Sequence, residues 1–159
     1  MKEIHIYDFD RTLTNYILTT EAVIEDKYPN LFRMIVIKRF ANYIKKCIKK
    51  NITIIILSHN LTGNIITTLK SFIPDSLVNY LLIATPEIIG LTGYEAEKTK
   101  YERDSNFKRN YIKLLLKSYS YTDTDVYFFD DDSCNIINCD DLNIKSKLVK
   151  TDTDLVFLS

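Results

Sequence analysis

The apolar residues of this chain fall into short dense runs that alternate with longer amphipathic segments. Each run is rich in β-branched or aromatic residues and is bounded by turn residues, which is typical of strands in a buried parallel sheet. The pattern predicts four strands, at residues 3–9, 52–58, 78–85 and 125–131. Two further runs predict a fifth strand and a last short piece, at residues 146–151 and 155–158.

The segments between the runs repeat their apolar residues at the spacing of one helical face. Residues 31–50 predict a helix with lysines opposite an apolar face made of Ile37, Phe40, Ile44, Cys47 and Ile48. Residues 60–73 predict a helix that starts near Thr62 or Gly63. Residues 106–119 predict another helix, whose side chains expected to face the core are Phe107, Tyr111, Leu114 and Leu115. A loop or short helix is expected at 15–30, and a mobile polar loop at 86–106.

The alternation of strands and helices predicts an α/β fold, a three-layer Rossmann-like parallel sheet flanked by helices. The length of 159 residues and the apolar share of 46% predict a single domain over residues 1–159. In sheets of this kind, functional side chains gather beyond the carboxyl ends of the strands. The residues that follow each predicted strand are therefore the candidates for a site.

Composition and charge count against several classes of protein. The formal net charge is zero, so no global field favours nucleic acid or membrane as a partner. No apolar run approaches the 18 residues of a membrane span, and no apolar leader follows Met1. The three cysteines, Cys47, Cys134 and Cys139, lack the spacing of a metal site. A reducing compartment, intracellular and cytoplasmic, is the expected location.

Acidic residues follow the first and the last of the four main strands. Asp8 and Asp10 end the first, and a run of acids from Asp130 to Asp132 ends the fourth. Either group alone also fits a solvated turn, but both lie at the edge where parallel strands end. Carboxylates that converge there repel one another unless a cation lies between them. Oxygen ligands without a cluster of His or Cys indicate Mg²⁺.

Four stretches resemble, in order, the motifs of the haloacid dehalogenase (HAD) superfamily of phosphohydrolases. YDFDRTLT resembles its first motif, Asp-x-Asp-x-Thr after an apolar strand, and IIILS resembles the second, a strand that ends in Ser or Thr. FKRNYIKLLL resembles the third, a lysine at a helix start, and VYFFDDDSCNI the fourth, a strand that ends in paired acids. The resemblance covers residues 4–136, and the FFDD-x-x-x-NI form is similar to small magnesium-dependent phosphatases of that superfamily.

The resemblance implies a hydrolase of phosphomonoesters that works through an aspartyl-phosphate. Asp8 would attack phosphorus, and Asp10 would act as general acid and then as base. Ser58 would donate a hydrogen bond to a phosphoryl oxygen, and Lys108 would neutralise the phosphate. Mg²⁺ would be held by Asp8, Asp10 (through its backbone carbonyl), Asp130 and Asp131.

Several of these assignments have competitors in the sequence. The role of Lys108 could fall to another lysine nearby, at Lys98, Lys100 or Lys113. Either Asp130 or Asp131 could be the direct metal ligand, and Asn135 could bind the metal through water. Asp132 is expected farther from the metal or at the surface, and His59 either has a structural role or contacts substrate.

The substrate is left open by two features. Arg11 stands where the first motif usually has glycine, and its guanidinium could pair with Asp10 or with a second phosphate. The short stretches between the motifs predict a minimal or absent cap. An open site suits a phosphoprotein or a nucleic-acid end, and it suits a small phosphate if a second subunit of a homo-oligomer covers the cleft. The alternatives are a nucleic-acid 3′-end phosphatase and a catalytically silent binding or scaffold protein.

Overall fold

The computed structural model describes residues 2–15, 19–24, 34–86, 100–118 and 124–155. Five strands form one parallel sheet: β1 Lys2–Tyr7, β2 Thr53–Leu57, β3 Leu82–Ala84, β4 Thr124–Asp130 and β5 Lys145–Leu148. Their order across the sheet is β3-β2-β1-β4-β5, so β1 is central. All four neighbouring pairs run parallel, which confirms the predicted fold class.

The described helices connect or follow these strands. They are α1 Thr20–Ile24, α2 Met34–Lys50, α3 Thr62–Phe72, α4 Asp75–Val78, α5 Lys100–Ser118 and α6 Ser133–Asn138, with a 3₁₀ turn at Asp152–Asp154. Within the described ranges, no helix combines the length and apolar character that crossing a bilayer needs. The start of α3 at Thr62 agrees with the sequence prediction.

Alternate side chains of the strands enter two separate cores, one on each face of the sheet. Ile54 and Ile56 of β2 pack with the helices α2, α3 and α4. Ile55 and Leu57 of the same strand pack with α5 and α6 on the other face. Because helices cover both faces, β2 reads as a continuous apolar run rather than an alternating one. The result is the three-layer arrangement that the sequence predicts.

The predicted third strand, at residues 78–85, begins too early. In the structure, α4 takes residues 75–78 and β3 is only Leu82–Ala84. Pro74 stands at the start of α4 with φ −54°, a backbone angle that suits the entry of a helix. Leu77 and Val78 then reach the core from this helix. The apolar run was therefore a helix end and a strand joined by a turn.

Other boundaries also differ from the prediction. The expected loop at 86–106 is partly helical, since α5 begins at Lys100, and residues 87–99 lie outside the described part. The fifth strand covers residues 145–148 instead of 146–151. The last piece, at 155–158, falls on residues that are not described, apart from a buried Leu155. The cap prediction rests on 14–30 and 86–106, and much of both segments is outside the described ranges.

Two residues assigned to apolar helix faces are exposed. The side chain of Ile48 is 43% exposed and that of Leu114 is 60% exposed. Each residue turns the helix by about 100°, so Ile48 points well away from its buried neighbour Cys47. Tyr43 of α2 and Ile112 of α5, which the sequence pattern did not single out, are buried in the two cores.

Buried polar groups between α2 and β1 pair with one another. The hydroxyl of Tyr43 lies 2.5 Å from Nδ1 of His5 and 2.8 Å from the hydroxyl of Tyr7. Burial lowers the pKa of His5, which favours a neutral ring that accepts a hydrogen bond at Nδ1. Its Nε2 then donates to Glu3. This chain anchors α2 beneath Tyr7, the residue before Asp8.

Replacing Thr68 with valine is expected to stabilise the fold. The Thr68 side chain on α3 is fully buried, and its hydroxyl has no hydrogen-bond partner among the described residues. Valine has nearly the same shape and removes the uncompensated hydroxyl, so the free energy of unfolding should rise by about 1 kcal/mol. Urea denaturation measures it, with Thr67→Val at an exposed position of the same helix as control. A lower stability of Thr68→Val would contradict the expectation.

Candidate active site

The centre of the site is the crevice where β1 and β4 lie side by side. From β1 the chain adds β2 and β3 on one side of the sheet, and it then returns to place β4 and β5 on the other. Such a reversal opens a crevice at the carboxyl ends of the two strands. Asp8 follows β1 and Asp130 ends β4, and the backbone N–H of Asp8 donates to the carbonyl of Phe129 at 2.9 Å. The two carboxylates are thereby brought together.

Lys108 joins these carboxylates from the helix α5. Its Nζ lies 2.6 Å from Oδ1 of Asp8 and 2.7 Å from Oδ2 of Asp130, and all three side chains are buried. Lys108 sits on the inward face of α5, one turn before Ile112 of the second core. The structure thus places Lys108, of the candidate lysines, between the two carboxylates.

The competing lysines are found elsewhere or are not described. Lys113 lies on the exposed side of α5. Lys100 begins that helix but its side chain is outside the described part, as is the whole of Lys98.

The buried charges do not balance. Burial and, to a smaller extent, the nearby Asp131 raise the pKa of Asp8, whereas the Lys108 ammonium lowers it, and the resulting pKa is about 6. The pKa of Asp130 is also raised, by burial and by the charge of Asp8. Burial by itself lowers the pKa of Lys108, but the two carboxylates outweigh this and raise it. One ammonium therefore serves a site with an excess of carboxylates.

Asp131 adds a third carboxylate to this group. Oxygen atoms of Asp8, Asp130 and Asp131 lie within 4.8 Å of one another, close enough to share a metal ion. The Thr12 hydroxyl lies 3.0 Å from Oδ2 of Asp8 and 3.3 Å from Oδ1 of Asp131. Three carboxylates with one ammonium leave a net negative charge, which attracts a cation. Carboxylate oxygens are also the ligands that Mg²⁺ prefers. The group fits a hard divalent cation, and the side chain of Asp10 is not one of its members.

The oxygens of Asp130 already accept hydrogen bonds. Oδ1 accepts the backbone N–H of Asp132 at 2.9 Å, and Oδ2 accepts from Lys108 and, at 3.1 Å, from the side-chain amide of Asn135. Asp132 itself is exposed and caps α6 by accepting from the backbone N–H of Cys134. Asn135 is thus within the site as a donor to Asp130, and Asp132 lies at its outer edge.

On the other side of β1, the end of β2 supplies Ser58. Its side chain is buried, and Oγ accepts the backbone N–H of Asn60 at 3.1 Å, which leaves the hydroxyl proton directed elsewhere. The side-chain amide of Asn60 donates to both carboxylate oxygens of Asp10, at 3.2 and 3.1 Å. Asn60 therefore hydrogen-bonds to both Ser58 and Asp10.

The loop after β1 closes in an unusual conformation at Arg11. This residue has a φ of 63°, in the left-handed region that favours glycine and costs other residues about 1 kcal/mol. The carbonyl of Phe9 accepts backbone N–H groups of Thr12, Leu13 and Thr14, which closes the turn. This conformation favours glycine, the residue that the resembled first motif usually has at the position of Arg11. The Arg11 side chain is exposed at the cleft.

These residues surround an open cleft of about 460 Å³. The ring of His59 is exposed at its wall and packs against Phe107, with the ring centroids 5.1 Å apart. The lining residues are Asp8, Asp10, Arg11, Ser58, His59, Asn60, Lys108, Asp130, Asp131, Asp132 and Asn135. The list includes the six main candidates from the sequence, Asp8, Asp10, Ser58, Lys108, Asp130 and Asp131.

The sequence analysis did not assign a role to Thr12 or to Asn60. Thr12 stands at the last position of the Asp-x-Asp-x-Thr pattern, so the motif itself carried the signal. Asn60 offered no signal of this kind, since a polar residue between a strand and a helix usually belongs to the turn. Its contact with Asp10 joins residues that are far apart along the chain.

Comparisons with known proteins give a fold relationship only. No protein-family model matches the chain, and no curated protein matches it. Two solved structures of the HAD domain of the effector protein Lem4 from Legionella pneumophila, one of them an inactive mutant, are similar to it. Both have a TM-score of 0.50 and 14% identity, and they cover 93% and 92% of this chain and 85% of that domain. The chain therefore has a HAD-like fold.

Proposed function

We propose that this chain is a Mg²⁺-dependent phosphatase that hydrolyses phosphomonoesters through an aspartyl-phosphate on Asp8. The observation that carries the proposal is the position of Asp8. It is buried at the carboxyl ends of β1 and β4, beside Lys108 and two further carboxylates. Raised pKa values such as those of Asp8 and Asp130, in residues that line an open cleft, are common at functional sites. The HAD-like fold supports the same reading.

Two aspartates divide the work in this mechanism. Asp8 is held by Lys108 and Thr12, and its carboxylate forms a bond to phosphorus while the bond to the ester oxygen breaks. Asp10 donates its proton to that leaving oxygen. Asp10 then takes a proton from water as the water oxygen attacks phosphorus, which releases inorganic phosphate and restores Asp8.

The other polar groups stabilise the charge of the transferred phosphoryl group. The Lys108 ammonium and the Ser58 hydroxyl are preorganised by their own hydrogen bonds, so they need little rearrangement in the transition state. Bound Mg²⁺ would supply Lewis-acid polarisation of the phosphoryl oxygens and offset the repulsion between phosphate and carboxylates.

The metal ligands in this proposal are Asp8, Asp131 and the backbone carbonyl of Asp10, with Asp130 close behind. Asp131 is better placed than Asp130 as a direct ligand, because the two oxygens of Asp130 together accept three N–H groups, whereas Asp131 accepts the Thr12 hydroxyl. Asp130 would then orient Lys108 and complete the negative charge of the group.

Phosphate release in the presence and absence of Mg²⁺ tests the proposal. The protein should release phosphate from p-nitrophenyl phosphate with Mg²⁺, and chelation with EDTA should lower the rate by about 100-fold or more, reversibly. A panel of phosphopeptides, 3′-phosphorylated oligonucleotides and small monoesters would then rank the substrate classes. Mg²⁺ binding without turnover on the whole panel would contradict the proposal and favour a binding protein. Activity confined to the oligonucleotides would identify the 3′-end phosphatase.

A further inference from the structure

Asn60 connects two parts of the site that the mechanism uses separately. Its side-chain amide donates to both oxygens of Asp10, and its backbone N–H donates to Oγ of Ser58. One residue therefore holds the carboxylate that moves the proton and the hydroxyl that contacts the phosphoryl group.

The orientation of the Asn60 amide is set by its surroundings. Its Oδ1 accepts the backbone N–H of Leu61 at 2.7 Å and the side-chain amide of Asn64 at 3.2 Å. Only an oxygen can accept from two donors, so the NH₂ group must face Asp10. The buried amide of Asn64 also donates to the hydroxyl of Thr20 in α1, at 3.0 Å. A continuous chain of hydrogen bonds thus runs from α1 to Asp10.

We propose that Asn60 is a positioning residue for Asp10. Asn60 determines which of the two Asp10 carboxyl oxygens carries the proton in the acid step. This role rests on the proposed phosphatase function. When Asp10 is protonated, one oxygen is a carbonyl acceptor and the other is a hydroxyl donor. The carbonyl oxygen is the stronger acceptor and pairs with the Asn60 amide, so the hydroxyl turns to the cleft and the leaving group. Without Asn60 the carboxyl group rotates more freely, and correctly oriented proton transfer becomes rarer.

The test compares two substrates that differ in their need for a proton. p-Nitrophenolate leaves readily as an anion, whereas the phenolate of phenyl phosphate depends on proton donation by Asp10. Asn60→Ala should lower kcat/KM for phenyl phosphate by about 10-fold or more, and for p-nitrophenyl phosphate by less than about threefold. The control is Asn79→Ala, an exposed asparagine after α4 and away from the cleft, which should change neither value.

A second variant keeps the shape of the side chain and reverses its hydrogen bonding. Asn60→Asp keeps the size of the side chain, but a carboxylate cannot donate a hydrogen bond to Asp10. This variant should therefore also lower kcat/KM for phenyl phosphate by about 10-fold or more, and by a clearly smaller factor for p-nitrophenyl phosphate. In an Asp10→Asn background, Asn60→Ala should have no further effect on phenyl phosphate.

Different results would overturn different claims. Equal losses on the two substrates, in Asn60→Ala or in Asn60→Asp, would overturn the positioning role, since Asn60 would then serve phosphate binding or folding. If the unaltered protein turns over neither ester with Mg²⁺, the proposed phosphatase function fails, and the role of Asn60 fails with it.

Discussion

Replacing Asp8 with asparagine is expected to reduce phosphate release by on the order of 10⁴-fold or more, because the amide cannot form the bond to phosphorus. The substitution keeps the size of the side chain and an oxygen that can accept from Lys108. Asp132→Asn is the matched control, since that carboxylate is exposed at the edge of the same cleft and caps α6. The control should retain activity within about threefold. Equal rates in Asp8→Asn and the unaltered protein would contradict the mechanism.

The same variant should show how burial of Asp8 affects stability. In metal-free buffer, the pKa of Asp8 is about 6 in the folded protein and near 3.9 in the unfolded chain. The folded state therefore binds the proton more tightly, and its contribution is present below pH 4 and lost as the pH rises through 6. Asp8→Asn cannot ionise and does not suffer this loss. The free energy of unfolding of the variant minus that of the unaltered protein should therefore be about 2 kcal/mol larger at pH 7 than at pH 4. The same difference at both pH values would contradict the raised pKa.

Replacing Lys108 with methionine is expected to cost about 3–5 kcal/mol of the free energy of unfolding at pH 7 and to abolish turnover. The change leaves Asp8 and Asp130 buried next to each other without the ammonium that lies within 2.7 Å of both. Urea denaturation in metal-free buffer measures the effect. Lys113→Met, on the exposed side of the same helix, is the control and should change stability by less than about 0.5 kcal/mol.

A double variant separates lost charge from lost packing. Asp8→Asn combined with Lys108→Met leaves one buried carboxylate in place of two, so it should be more stable than Lys108→Met alone by about 2 kcal/mol. If the double variant is as unstable as the single one, the cost arises from the volume of the lysine stem. Mg²⁺ should stabilise Lys108→Met more than the unaltered protein, because it replaces the missing positive charge.

The architecture of the sheet was accessible from local patterns. The β-branched run at 52–58 is apolar at almost every position because helices cover both faces of β2, and this property is visible in any window of a few residues. The parallel arrangement then placed Asp8, Ser58 and Asp130 at one edge, although they are distant along the chain. The motif resemblance added their roles as a hypothesis.

Local patterns failed where a short apolar stretch fits more than one element. Valine is a residue type common in strands, but Val78 is the last residue of the helix α4, which follows Pro74. Ile48 was expected on the buried face of α2, and it is exposed because it follows the buried Cys47 and points about 100° away from it around the helix. For Val78, tertiary packing outweighed the strand propensity of the segment.

By itself, the sequence determined the α/β class, the sheet-edge location of the candidate site and the set of carboxylates, because periodicity and strand ends are local properties. Only the tertiary structure decided that Lys108, rather than Lys113 on the same helix, meets Asp8 and Asp130. It also decided that Asn60 faces Asp10. These choices depend on how α5 and α3 pack on the sheet, and that packing is set by many distant contacts together.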